Sequence, residues 1–584
     1  MAFSYLDEEN IFDLYEKSVE FTEALTEPFP EFSRIARNKP HPKTPKRFPK
    51  TTDGTTSAII KKSPRRTIQQ LPTGVIETEN KDDYWAILAD FRYRTKILPK
   101  ANAEYDLIQK CWNTVENGQT FGSQVIYTPM LNHDGEVTPD YLVEYWGDIF
   151  VQPGKKSGYD NKYTFRRTWW QEQDVDKLID DEEQRAAEAK EKGIPYESYW
   201  DLDNLREIRD AITAKDEKAK TPAEDELMID PSGIEIVTGF QVGYKSIQYT
   251  FNPSKKLILR RKPNKDLRGK MPLDWYYYDV DGSNPLGRSL LDLVGPMQNL
   301  IDSDMQAYQY NRALALQPSL NVFGNVNTRQ LSTAPNAINK ITDTNVRIEP
   351  NVVDTTAIRD YPNIYGLQKS QLMGLTSGDP ATAVSAEVGD PLAGKTPTAI
   401  KARNQATSVD DNAMRKGFEA FFENWSETAI NLDLGERSGK EEMQLDEETA
   451  GKLRDLEEKG VIPMGTVRDD TMTTVDYDTI DGPFKFRVNA STSKVNSEAE
   501  QLEALQILVN SLDSSTSLST VVPDSKKLEL WNAIVANSSV EDSEKLEVSE
   551  EELAEMQQMQ AKVAQQAQME AQGAPEMYSS SLTI

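Results

Sequence analysis

The chain has 584 residues, 38% of them hydrophobic, and its 66 Lys and Arg stand against 95 Asp and Glu for a formal charge of -29. That length allows several domains, and that charge disfavours a protein that coats DNA generally or docks on an anionic membrane. One cysteine excludes a disulfide framework, no stretch approaches the roughly 18 apolar residues of a membrane span, and the acidic opening MAFSYLDEEN is unlike a basic signal peptide, so a soluble intracellular protein is expected.

In chain order, residues 1 to about 32 read as an acidic amphipathic helix (Ile11, Leu14, Tyr15, Val19) closed by Pro28 and Pro30. Arg34 to Arg66 then reverses the charge: eleven Lys or Arg, one Asp and five Pro predict an extended, poorly ordered arm rather than a folded unit. It reads either as a solvated linker or as a contact for nucleic acid or an acidic partner. Helices follow over Lys81–Leu98 and Ala103–Asn117, the second burying Cys111 on the face Tyr105, Ile108, Trp112, Val115. The pattern then changes to strands: QVIYTPML, a turn at Asn132–Gly135, YLVEYWGDIFVQP, and KYTFRRTWW. His133 reads as a turn residue. With only His41 besides and no CxxC, no metal site and no cofactor are expected.

A charged helix, Gln171–Lys192, and a shorter one, Leu202–Lys218, lead to a β-rich stretch from Gly233 to Asp281. This stretch carries Lys255, Lys256, Arg260, Arg261, Lys262, Lys265, Arg268 and Lys270 against only Asp266, a basic patch that is either a solvated rim or a partner contact. Asn284–Pro318 is the longest clear helix. Leu290, Val294, Met297, Ile301, Met305 and Tyr308 recur at three- and four-residue spacing, with Asp302, Asp304, Gln306 and Gln309 between them. Pro296 suits the first helical position, with Gly287–Gly295 as the lead-in and Pro318 as the stop. SLNVFG and NVRIEP then suggest a hairpin, Ile364–Thr376 a short helix, and Gly378–Lys395 a loop. Thr396 caps a long helix that runs from Pro397 to about Leu432. Capping-box patterns, Ser497 with Glu500 and Ser549 with Glu552, start two last helices, Glu498–Leu512 and Glu550–Gln572. The final one has too thin an apolar stripe to stand alone.

Gly389–Thr396, GDPLAGKT, matches G-x-x-x-x-G-K-[ST] and precedes a helix. The segment before it, ATAVSAEV, is too short and weakly apolar for the buried strand a phosphate loop leaves, and no later apolar strand ends in an acid suited to magnesium. A nucleotide hydrolase using Lys395 and Thr396 is therefore the weaker reading, and a flexible glycine-bearing loop the stronger.

Taken together, YDVDGSNPLGRSLLDLVGPMQNLIDSDMQAYQYNRALALQPSLNV, the pair YLVEYWGDIFVQP and YTFRRTWW, and the order helix, loop, long helix, FKFRVNASTSKVNSEAEQLEALQILV resemble the portal proteins of tailed bacteriophages, over about Asp140 to Leu512. The resemblance implies an α+β, mainly helical fold with wing, stem, clip and crown, assembled as a ring of about twelve subunits at one capsid vertex. It implies a non-enzymatic conduit for DNA packaging and ejection, in the virion and, during assembly, in the host cytoplasm. Implied partners are the terminase large subunit, a head-tail adaptor, the major capsid or scaffold protein, and double-stranded DNA in the channel, with no membrane. A non-portal adaptor or scaffold of a large particle is the remaining alternative.

By that resemblance residues 1–69 form the acidic helix and basic arm, 70–200 the wing, 201–232 a descending stem region, 233–283 the clip and 284–318 the ascending stem helix. Residues 319–377 return to the wing, 378–395 form the tunnel loop, 396–433 the long wing helix, 434–545 the crown and 546–584 a C-terminal extension. In the tunnel loop Lys395 is expected to meet DNA phosphate, while Asp379, Glu387 and Asp390 limit retention. The basic residues of the clip are expected to contact the motor.

Overall fold

The computed structural model describes residues 5–488 apart from 47, 78–83, 103–105, 134–135, 194–195, 197, 217–232, 283, 317–319, 324–346, 351–355, 378–396, 469–470 and 481. The chain divides into a body, Met1–Ser493, and a second unit, Lys494–Ile584, which lies outside the described residues together with both helices expected there. The described part is mixed α and β, about half helical, in keeping with the α+β class.

The opening segment folds into two helices, α1 (Ile11–Thr26) and α2 (Phe29–Ala36). Pro30 sits in the first turn of α2, where its missing N–H is no loss, so the proline pair starts a helix instead of ending the element. The basic stretch adds α3 (Thr55–Thr67), and β1 (Gly74–Glu77) follows. Next come α4 (Tyr84–Arg92), a π-helical turn over Tyr93–Ile97, α5 (Leu98–Ala101) and α6 (Leu107–Phe121). Asp106 opens α6 by accepting from the Ile108 N–H at 3.2 Å. As expected, α6 buries Cys111, and burial pushes its thiol well above the ordinary range, leaving it unreactive.

Strands β2 (Ser123–Tyr127), β3 (Met130–His133), β4 (Glu136–Pro139), β5 (Leu142–Val143), β6 (Ile149–Val151) and β7 (Tyr163–Trp170) come before α7 (Glu172–Lys192) and α8 (Leu202–Asp216). Gln171 and Asp174 cap α7 reciprocally, and Gly193 ends it in the left-handed conformation. The β-rich stretch supplies β8 (Ile234–Gln241), β9 (Ile247–Asn252), β10 (Leu257–Pro263) and β11 (Leu273–Tyr277). These strands do not form a separate unit. β8, β9 and β10 extend β6 and β7 into one antiparallel sheet of order β10-β9-β8-β7-β6, while β11 pairs with β2 in another. The boundary expected at residue 233 is thus crossed by the eight-residue β7–β8 register from Tyr163↔Gln241 to Trp170↔Ile234.

The long helix is α9 (Leu290–Leu316), followed by the ribbon β12 (Leu320–Phe323) with β13 (Arg347–Pro350), then α10 (Thr356–Ser377) and α11 (Pro397–Glu436). The body ends with β14 (Lys440–Gln444), α12 (Glu447–Glu458), β15 (Val467–Arg468), β16 (Met472–Asp476) and β17 (Lys485–Val488). These last elements were expected in a crown, but their apolar side chains place them in the main core. Leu453, Phe484 and Phe486 pack with Phe418, Phe422 and Trp425 of α11 and with Leu88 and Val115 of α4 and α6. β17 also pairs antiparallel with β1, from Gly74↔Val488 to Glu77↔Lys485. Within this core Arg92 is satisfied by Asp433 at 2.8 Å and the Tyr477 hydroxyl at 3.2 Å, since a buried charge survives only when paired.

Candidate functional site

Helix α9 begins one and a half turns before the expected Pro296. Ser289 and Asp292 form a capping box: the Ser289 N–H donates to Asp292 Oδ2 at 2.7 Å, and the Asp292 N–H donates to Ser289 Oγ at 2.9 Å. Pro296 therefore lies inside a helix of 27 residues, about 40 Å long at ~1.5 Å per residue. Of the stripe expected for packing, Leu290, Val294 and Ile301 are buried among Phe32, Ile35, Ile60 and Leu372, and Met297 packs against them. Met305 is half-buried, and Tyr308 stacks on Tyr361 of α10 at 4.2 Å.

The polar face of α9 is covered as well, by the segment expected to be a disordered arm. Gln298, Asp302 and Gln306 are all buried. Gln298 accepts from the Thr56 hydroxyl at 2.6 Å, Asp302 from the Asp53 N–H at 2.8 Å, and Gln306 donates to the Thr51 carbonyl at 2.8 Å. Gln306 also accepts from Thr44 at 3.2 Å and Gln309 from Thr51 at 3.0 Å. The arm is thus a strap along α9. Its lysines and prolines suit an exposed extended backbone, while its threonines and Asp53 supply the bonds that hold it. Asp53 accepts from the Tyr365 hydroxyl of α10 and lies 3.7 Å from Lys369, joining arm, α9 and α10. Burial pushes its carboxyl up, but Thr55, Tyr365 and Lys369 outweigh that and hold it below the usual range.

Helix α10 runs antiparallel to α9: Gln368 donates to Asp304 at 2.7 Å, and Tyr361 meets Tyr308 further along. Among the described residues, every exposed leucine, isoleucine and phenylalanine side chain lies on this helical hairpin or its ribbon. Leu300, Leu316, Phe323, Ile364, Leu367 and Leu375 carry most of that surface, Leu316 being 70% exposed and Phe323 55%. The periodicity of α9 revealed one buried face. It could not show that this flank stays bare, because that depends on where α10 lands.

The expected basic patch is dispersed and largely neutralised. Lys255 pairs with Glu207 at 3.1 Å, Arg261 with Glu8 at 2.8 Å, and Lys262 and Lys265 with Glu436 at 2.5 and 3.3 Å. Arg268 is held by Asp266 and Glu427, both at 3.1 Å, and Lys270 lies 3.9 Å from Glu427. Lys256 is exposed on the β9–β10 turn. Arg260 instead stacks its guanidinium on Trp200 at 4.6 Å. Asp266 is therefore not the sole counter-charge, since the others arrive from α8, α11 and the N-terminus. Arg260, Lys262 and Lys265 do converge, together with Arg166, on one cavity of about 380 Å³.

Asp379, Glu387, Asp390 and Lys395, with the GDPLAGKT loop that holds the last two, lie outside the described residues. Among the described residues no cluster of His, Cys, Asp and Glu could hold a metal ion, and no helix is long and apolar enough to cross a membrane. No protein-family model matches the chain, and no curated protein matches it.

Proposed function

We propose that this chain is the subunit of a portal ring, a non-catalytic conduit for double-stranded DNA at a capsid vertex. The observation that carries the reading is the helical hairpin α9–α10, which with its ribbon carries every exposed leucine, isoleucine and phenylalanine side chain among the described residues. Patches of that kind mark association surfaces, and identical copies around a closed cyclic axis would cover it at every subunit. In this reading α9 and α10 form the stem, and the β12–β13 ribbon is the tip offered to the terminase large subunit and then to the head-tail adaptor. The ribbon replaces residues 233–283 in that role because β8, β9 and β10 belong to the body sheet and their cations are mostly paired. The capsid or scaffold protein would meet the body. About twelve copies carry on the order of -350 charges, which lets DNA slide without tight binding.

The test is native mass spectrometry with negative-stain imaging of the purified chain. A closed ring with an axial hole of roughly 20 Å or more, wide enough for a duplex, is the expected result. Particles with no axial hole at any concentration, or an open filament, would overturn the reading.

A further inference from the structure

Strand register builds a polar row across one face of the five-stranded sheet. Arg166 of β7 pairs with Thr238 of β8, Thr238 with Thr250 of β9, and Thr250 with Arg260 of β10. Side chains alternate across a strand, so these four share a face, while Phe165, Val237, Tyr249 and Phe251 share the other and form a buried apolar cluster. Arg260 reaches the polar face through a β-bulge between Ile258 and Arg260. In an unbroken register it would stand opposite Tyr249 and point to the apolar side; the bulge re-aims it.

The polar face is one wall of the 380 Å³ cavity, whose other walls come from the end of α11 with Glu436 and from Thr128, Met130 and Leu142. Its charges do not balance. Arg166 is matched by Glu144 at 2.9 Å, but Lys262 and Lys265 share Glu436, and no ion pair reaches Arg260 among the described residues. The buried Arg260 Nε and the buried Thr128 hydroxyl have no hydrogen-bond partner in the protein, and both residues line this cavity. Buried polar groups without partners are rare in folded proteins, and two at one cleft call for a ligand.

We propose that the cleft binds a phosphate-bearing small molecule, its phosphate held by Arg260, Lys262 and the Thr128 hydroxyl. A guanidinium offers a planar fork that fits two phosphate oxygens, and an ammonium adds a point charge. The volume falls within the roughly 300–1,000 Å³ typical of small-molecule sites, and the wall of Pro129, Met130, Leu131 and Leu142 accepts an organic body beside the phosphate. A cleft of about 380 Å³ is too small to take up a DNA duplex, so the site is separate from the conduit, and the inference does not rest on that reading. Burial lowers the proton affinity of Arg260 and Lys262, and a bound anion would restore it.

Isothermal calorimetry on the full chain tests this with pyrophosphate, adenosine monophosphate and adenosine. Both anions are expected to bind and adenosine not. Arg260→Gln and Lys262→Gln should each weaken adenosine monophosphate about tenfold or more, through loss of a charge-assisted hydrogen bond, whereas Lys256→Gln leaves it unchanged. No heat with either anion, adenosine binding as tightly as its phosphate, or full affinity in both charge variants would overturn the proposal. Should Arg260→Gln or Lys262→Gln lower the melting temperature, Thr128→Val decides. A severalfold weakening at unchanged melting temperature supports the site, and unchanged affinity overturns it.

Discussion

At the scale of single residues, Asp274 is a carboxylate whose charge the fold resists. Its Oδ1 accepts from the Thr428 hydroxyl at 3.1 Å while Oδ2 is buried without a partner. Burial, only partly offset by Arg268, pushes its carboxyl up to about 6. A carboxylate raised on folding contributes stability that is fully present below its unfolded pKa near ~3.9 and is lost as pH rises through its folded value. Asp274→Asn, which keeps an acceptor for Thr428, is therefore expected to stabilise the chain at pH 8 by about 1–3 kcal/mol, with the gap closing towards pH 4. Thermal melts at the two pH values check this, and an equal gap at both would refute it. The basic residues give the complementary lesson. Their clustering between Lys255 and Lys270 was plain in the sequence, but their counter-ions, Glu8, Glu207, Glu427 and Glu436, are scattered along the chain, so local charge counting could not see the pairing. Only the bulge-dependent register shows that Arg260 escapes it.

At the scale of elements, the strap on α9 is the part least legible beforehand. Its composition, rich in Lys and Pro and poor in apolar residues, is that of a disordered segment. Its partners are amides and a carboxylate on a helix some 250 positions later, which themselves look like a solvated face. The start of α9 was legible but outvoted: Ser289-x-x-Asp292 was present, and the proline rule favoured Pro296. Asp53 is the strap's main side-chain tie. Asp53→Ala should free residues 39–54 while leaving the body folded, at a cost of about 1–3 kcal/mol for the lost charged hydrogen bonds. Hydrogen exchange would show this as faster exchange confined to that segment. Because the Asp53 carboxyl is held low, its contribution is present above its unfolded pKa and fades as pH falls through the folded one. Wild-type protection should fade in that acidic range, whereas the variant's lower protection should lack the same step.

At the scale of the whole molecule, the α9–α10 flank sets what the subunit needs from its neighbours. Replacing Leu367 and Leu375, both exposed on the single subunit, with Glu is expected to leave the unassembled subunit's melting temperature within about 1 °C, measured at a concentration too low for assembly, since surface substitutions seldom exceed ~0.5 kcal/mol. The same change should convert assembled particles to single subunits in sedimentation velocity, because each copy would then bring charge into an apolar contact. Unaltered assembly would move the contact elsewhere on the surface. A different consequence follows from the pairing of β1 with β17, which joins the first to the last of the body's strands among the described residues. During synthesis, at roughly 5–20 residues per second, the ribosome has long since released β1 when β17 emerges. Closing so wide a loop is slow as well as late. For on the order of tens of seconds the nascent chain must carry β1 without its partner, and for about 3–12 s Phe418, Phe422 and Trp425 without the strand that completes their cover. Products that stop before Lys485 lack that strand for good, so any assembly that requires the closed body draws only on chains that have passed β17, and the fold checks its own length up to that point.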